Sequence, residues 1–164
     1  MNETYVEWMV KKKTPAYMVV IKFVFIILTV FLVLAGMVFI PAMLVGIAFG
    51  VGTYFINLHA NLEYEYLYVD KELTVDKVMA KSRRKRVAVY DIGKMEILAP
   101  IKSWHLDNYK NRQDKCVDYS SGEEKQPDHR YVFFYDGKQK VIIEPNLEMV
   151  KAIAFAAPRK VFTD

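Results

Sequence analysis

The chain has 164 residues, 53% of them hydrophobic and 26% charged, with a net charge of +4 and a single cysteine, Cys116. One cysteine excludes an intramolecular disulfide and any cysteine-based metal centre. The positive charge is local: up to Leu58 four lysines (Lys11, Lys12, Lys13, Lys22) stand against Glu3 and Glu7, and the rest of the chain carries a surplus of the same size. A broad nucleic-acid-binding face is therefore not expected.

Residues 1–15 are polar and amphipathic in places and are read as a cytosolic N-terminal segment. Trp8, followed by Lys11, Lys12 and Lys13, suits the headgroup level of a bilayer, and the lysines suit its cytoplasmic flank. The stretch from Ala16 to Leu58 then has no charged side chain between Phe23 and Ile56. A membrane-crossing helix needs roughly 20 apolar residues, so two crossings fit this stretch better than one long tilted helix. Pro41, with Gly36 a turn earlier, sets the break, giving a first helix over about Ala16–Ile40 and a second over about Ala42–Leu58. A secretory signal is a poorer fit, because its apolar region usually runs to only about 7–15 residues. Lys22 lies near the start of the first helix, where its long stem can snorkel to the headgroups beside Lys13. Ala42, Gly46 and Gly50 recur every fourth residue in the second helix and open a groove for close packing, against the first helix or against a partner's helix.

After Asn61 the pattern changes to alternation, and residues 62–164 read as one β-rich domain. Leu62, Tyr64, Tyr66 and Tyr68 share one strand face, Glu63 and Glu65 the other, where solvation or pairing with Lys77 is the simplest expectation. Asp70–Lys71 forms a turn, Glu72–Met79 the returning strand, Arg86–Ile92 a third and Lys94–Leu98 a fourth ending at Pro100. The signal weakens from Ile101 to Asp128, with a strand around Lys115–Tyr119. Arg130–Tyr135 and Lys138–Glu144 flank Asp136–Gly137, a strong hairpin signal. Asn146 caps a last helix with a stripe of Leu147, Val150, Ile153, Ala154 and Ala157, stopped by Pro158.

The sharpest local feature is Lys81, Arg83, Arg84, Lys85 and Arg86, five cations in six residues at a turn. Near an anionic leaflet each contributes about 1 kcal/mol, so the cluster is the candidate contact for lipid headgroups or a partner. Catalysis has little support: His59, His105 and His129 lack ligand spacing with a carboxylate, and Ser120 and Ser121 have no nucleophile-elbow context. No enzyme activity, metal or cofactor is expected.

Strands in hairpin order closed by a C-terminal helix resemble a pleckstrin-homology-like barrel of six or seven strands with a capping helix. The segments Tyr64-Glu65-Tyr66, Glu72-Leu73, Lys81-Ser82-Arg83-Arg84-Lys85-Arg86 and Glu96-Ile97-Leu98-Ala99-Pro100, joined to an N-terminal apolar hairpin, resemble small bacterial membrane proteins with a pleckstrin-homology-like cytosolic domain. That resemblance implies a membrane-anchored α+β architecture at the inner membrane, multi-pass, with both termini cytoplasmic. In eukaryotic pleckstrin-homology domains phosphoinositide binding rests on a basic motif spanning the first two strands and their loop; here that loop is Asp70-Lys71-Glu72, which departs from the pattern, and the basic cluster falls between the second and third strands. Two roles follow as expectations: presentation of the domain at the membrane surface for anionic lipid headgroups or a protein partner, or an accessory or scaffold subunit of a membrane complex, homo-oligomeric or not, assembled through the glycine face. The tyrosine stripe is expected to pack in the barrel core or on the barrel surface rather than serve as a binding platform for a peptide or partner protein, and Trp104 is the better candidate for an exposed anchor.

Overall fold

Two 21-residue helices, α1 (Ala16–Gly36) and α2 (Ile40–Ala60), form an antiparallel hairpin and are long and apolar enough to cross a membrane. The computed structural model describes residues 5–163; residues 1–4 of the expected N-terminal segment, and Asp164, lie outside the described residues. The break falls earlier than expected. The first helix stops at Gly36 rather than Ile40, and Pro41 stands in the first turn of α2. There its missing N–H is no loss, because the first-turn N–H groups of a helix have no partner within it. Gly36, the last residue of α1, lets the start of α2 pass close, since a Cβ at that position would overlap Met43.

Small residues let the two helices touch. A Cβ on Gly46 would come 3.1 Å from the Val33 nitrogen and 3.2 Å from the Leu32 Cβ, and one on Gly50 would lie 3.5 Å from the Thr29 methyl. Phe25 and Phe49 pack with ring centroids 5.1 Å apart. The outward side chains of both helices are largely apolar and exposed, Ile27, Phe31 and Leu44 among them. At the open end, the Thr14 hydroxyl donates to the Ala60 carbonyl at 2.6 Å.

The chain divides into two compact units: this hairpin with the short segment Met79–Arg83, and a sheet unit comprising the chain up to Lys12 together with Glu63–Val78 and Arg84–Asp164. The sheet unit holds two four-stranded sheets. The first runs in the order β1 (Val6–Lys11), β2 (Leu62–Val69), β3 (Glu72–Met79), β4 (Arg83–Asp91). The second contains β5 (Met95–Pro100), β6 (Lys115–Asp118), β7 (Tyr131–Tyr135) and β8 (Gln139–Ile143), in the order β5-β7-β8-β6. The sheets do not close into a barrel, which corrects that expectation. The physical reason lies at β5, whose free edge is taken by the C-terminal segment: Leu98 N–H donates to the Lys160 carbonyl at 2.7 Å, and Phe162 N–H to the Leu98 carbonyl at 2.8 Å. With that edge filled, β4 has nothing to pair with there.

β1 has no counterpart in the sequence reading. It lies antiparallel on β2, Trp8 opposite Tyr66 and Val10 opposite Tyr64, and buries Val6 and Val10 on the tyrosine face. Tyr64, Tyr66 and Tyr68 are all core. The Tyr66 hydroxyl donates to the Tyr119 carbonyl at 2.5 Å and accepts from Glu144 N–H at 3.3 Å, so the buried phenol keeps its polar atom satisfied. Tyr90 meets Phe133 and Tyr135 edge-on, each with centroids 5.0 Å apart.

The second sheet is apolar on both faces. Leu98 and Phe133 face one way; Ile97, Ala99, Val132 and Phe134 face the other, covered by Leu106, Tyr109 and Phe162. A strand buried on both sides loses clean alternation, yet Asp136–Gly137 still forms the turn, both residues at positive φ. The last helix, α3 (Leu147–Ala156), is capped as expected, the Asn146 side chain accepting from Met149 N–H at 2.9 Å. Its buried face is Met149, Val150 and Ile153; Leu147 is 73% exposed, which corrects the expected stripe.

Candidate functional site

The basic cluster begins at a tight turn in which Ala80 and Lys81 both have positive φ, at 46° and 56°, a backbone region that disfavours a Cβ. Ser82 N–H closes the turn on the Met79 carbonyl at 3.1 Å, and Ala80 N–H donates to the Asn61 carbonyl at 2.7 Å. Asn61 is the residue that follows α2. The cations of this turn are therefore carried on the end of the second apolar helix.

The five cations then separate. Lys81 and Arg83 belong to the hairpin unit and, with Lys85, make no ion pair among the described residues. Arg84 and Arg86 belong to the sheet unit and are paired. Arg84 donates to Glu65 Oε1 at 2.7 Å, and Arg86 lies 3.6 Å from Asp76 Oδ1. Glu65 is thus neither solvated nor paired with Lys77, as alternation alone suggested; it is buried, and so is Asp76. Burial pushes the Glu65 carboxyl above the usual carboxylate range, its hydrogen bond with Glu7 pushes it further, and Arg84 works against both. Glu7 shifts down, chiefly because the Tyr5 hydroxyl donates to it at 2.5 Å.

At the open end of the hairpin the polar groups form a chain. Lys22 Nζ donates to Asn57 Oδ1 at 2.8 Å, and Asn61 Nδ2 donates to the same oxygen at 2.9 Å. Lys13, Lys22, Lys81 and Arg83 are the Lys and Arg residues of the hairpin unit, which contains no Asp or Glu. Because the start of α1, the end of α2 and the Met79–Arg83 turn lie together, these cations collect at one end of an otherwise apolar body. Sequence reasoning singled out each cation but missed Asn57 and Asn61, whose four-residue spacing at the end of an apolar helix was the available signal.

The remaining candidates are placed as follows. Trp8 lies in β1 and its indole N–H donates to the Glu144 carbonyl at 3.0 Å. Lys11 is exposed on the same strand, and Lys12 Nζ stands 5.6 Å from the Tyr64 ring centroid. Ala42 lies in the first turn of α2, with Gly46 and Gly50 following on the side that meets α1. His59 bonds the Phe55 carbonyl, and His105 is stacked between Trp104 and Phe162, each pair with centroids 3.8 Å apart.

The model of a bacterial PH-like domain family, DUF6106, matches residues 2–163, nearly the whole chain and both units. The chain belongs to this family. Neither the curated proteins nor the solved structures contain a match. The PH-like match spans the apolar hairpin as well as the sheets, so the two helices are part of what the family has in common. PH-like domains are generally non-catalytic.

Proposed function

We propose that this PH-like protein is a non-enzymatic membrane protein whose hairpin crosses the inner membrane and whose cationic end contacts anionic lipid headgroups at the cytoplasmic surface. One hydrogen bond carries this reading: Ala80 N–H to the Asn61 carbonyl ties the basic turn to the end of α2. A 21-residue helix is about 31 Å long, close to the thickness of a hydrocarbon core. If α2 spans that core, its end lies at headgroup depth, and Lys81 and Arg83 lie there with it. The alternative role, an accessory subunit assembled through the glycine face, has less support, since Gly46 and Gly50 lie against α1.

The test uses the full chain in nanodiscs, with an environment-sensitive fluorophore attached at Ser82→Cys in a Cys116→Ser background. Replacing part of the phosphatidylcholine by phosphatidylglycerol is expected to shift the emission to the blue. Salt reverses the shift, and Lys81→Gln with Arg83→Gln abolishes it. Emission indifferent to phosphatidylglycerol would remove the headgroup contact.

A further inference from the structure

Lys22 is six residues beyond the first residue of α1, about 9 Å along the helix axis. An ammonium in such a segment is expensive and needs either a path to water or a counter-charge. Within its own unit there is no carboxylate to supply one. What it has is Asn57 Oδ1 at 2.8 Å, a neutral acceptor that also receives Asn61 Nδ2 at 2.9 Å. A lysine ammonium carries three donors, and one is used here among the described residues. The side chain is half-buried, held across the hairpin against α2 rather than extended along its own helix. The same asparagine pair reaches the basic turn, since the Asn61 carbonyl accepts Ala80 N–H. A fixed cation with unused donors and three further cations at the same end, with no carboxylate in their unit, have the chemistry to hold an anion.

We infer that the mouth of the hairpin binds the phosphate of one anionic phospholipid, with Lys22 as the inner contact, Lys13, Lys81 and Arg83 as outer contacts, and Asn57 as the residue that positions Lys22. This rests on the headgroup reading above and goes further: it assigns a discrete bound lipid and an inner ligand that a merely attractive surface does not need. The chemistry recognised is a phosphate oxyanion, and the hairpin's apolar walls commit it to a lipid rather than to free phosphate.

Native mass spectrometry of the delipidated full chain in a mild nonionic detergent tests this, with phosphatidylglycerol, phosphatidylcholine and inorganic phosphate as separate probes. Wild type is expected to take up one phosphatidylglycerol in preference to phosphatidylcholine. Lys22→Met should bind phosphatidylglycerol roughly tenfold more weakly, the loss of one charge-assisted hydrogen bond. Lys22→Arg should retain it, and phosphatidylcholine uptake should not change. Asn57→Ala, with the lysine still present, should fall between wild type and Lys22→Met. Circular dichroism controls for helix content, and if Lys22→Met does not fold, Lys22→Gln replaces it. Wild-type affinity in the Lys22 variant, equal uptake of the two lipids, or displacement of phosphatidylglycerol by millimolar inorganic phosphate would each overturn the inference. If Lys81→Gln with Arg83→Gln alters the fluorophore response while Lys22→Met leaves lipid uptake untouched, this site fails and the headgroup reading survives.

Discussion

The carboxylate of Glu65, 1% exposed, is held by the guanidinium of Arg84, which is itself 55% exposed. This asymmetry places the cost of breaking the pair on Glu65, because Arg84 can return to water and Glu65 cannot. Arg84→Gln should destabilise the sheet unit by about 2 kcal/mol at neutral pH, and adding Glu65→Gln should recover most of it. The pH dependence has a definite sign. Glu65 titrates above its ordinary value in the folded chain, so its contribution to stability is complete below the unfolded value of about 4.3 and is lost as pH rises through the raised value. Chemical denaturation of the Arg84→Gln protein at a series of pH values should show a penalty that shrinks on acidification; a penalty independent of pH would exclude a buried carboxylate as its source.

Asp128 and Arg130 behave in the opposite sense. Arg130 is buried and grips Asp128 through Nε at 2.9 Å and Nη2 at 2.8 Å. That two-pronged hydrogen bond holds the Asp128 carboxyl below the usual range. Its stabilisation is present above the unfolded value of about 3.9 and disappears as pH falls through the lowered folded value. Asp128→Asn should cost about 3 kcal/mol at pH 7 by leaving a buried guanidinium with only the exposed Glu124 carboxylate, 3.7 Å away, as an ion-pair partner, and should flatten the acid limb of the stability profile below about pH 4. Urea midpoints across that range measure both effects. Glu96, held down first by its hydrogen bond from Arg112, leaves part of the acid limb in place.

In the hairpin, Gly46→Leu must displace the Val33 backbone nitrogen and the Leu32 Cβ, both within 3.2 Å of where its Cβ would sit. Overpacking of this kind costs about 1–3 kcal/mol, seen as a lower unfolding midpoint in detergent. Gly50→Ala, at an ordinary 3.5 Å from the Thr29 methyl, should be tolerated. Equal midpoints for Gly46→Leu and wild type would mean that the glycine face is not held against α1.

Much of the fold could be read locally. Leu62–Val69 and Glu72–Met79 match the strands in the structure residue for residue, because alternation and a turn at Asp70–Lys71 are short-range signals. The Asn146 cap was legible for the same reason. What escaped depended on partners far along the chain. The strand Val6–Lys11 finds its mate at Glu63–Tyr68, and nothing in six mixed residues announces a partner across two intervening helices. An open or closed barrel was decided by Val161 lying beside Leu98, a contact without a local signature. In the candidate site the cations were visible as residues, but their division was not. Pairing took Arg84 and Arg86 into the sheet unit, and Lys22 met Asn57 thirty-five positions away.

Cys116 is exposed in the sheet unit, and Val38, 93% exposed, lies in the connection between the two helices. These two positions report on the claim that the hairpin crosses the membrane and leaves the sheets on the cytoplasmic side. Labelling with a membrane-impermeant thiol reagent, on Cys116 in the otherwise native chain and on Val38→Cys in a Cys116→Ser background, is the most direct measurement. In intact spheroplasts the reagent is expected to reach position 38 and not Cys116, and in inverted vesicles the reverse. Labelling of both positions from the same side would contradict the account.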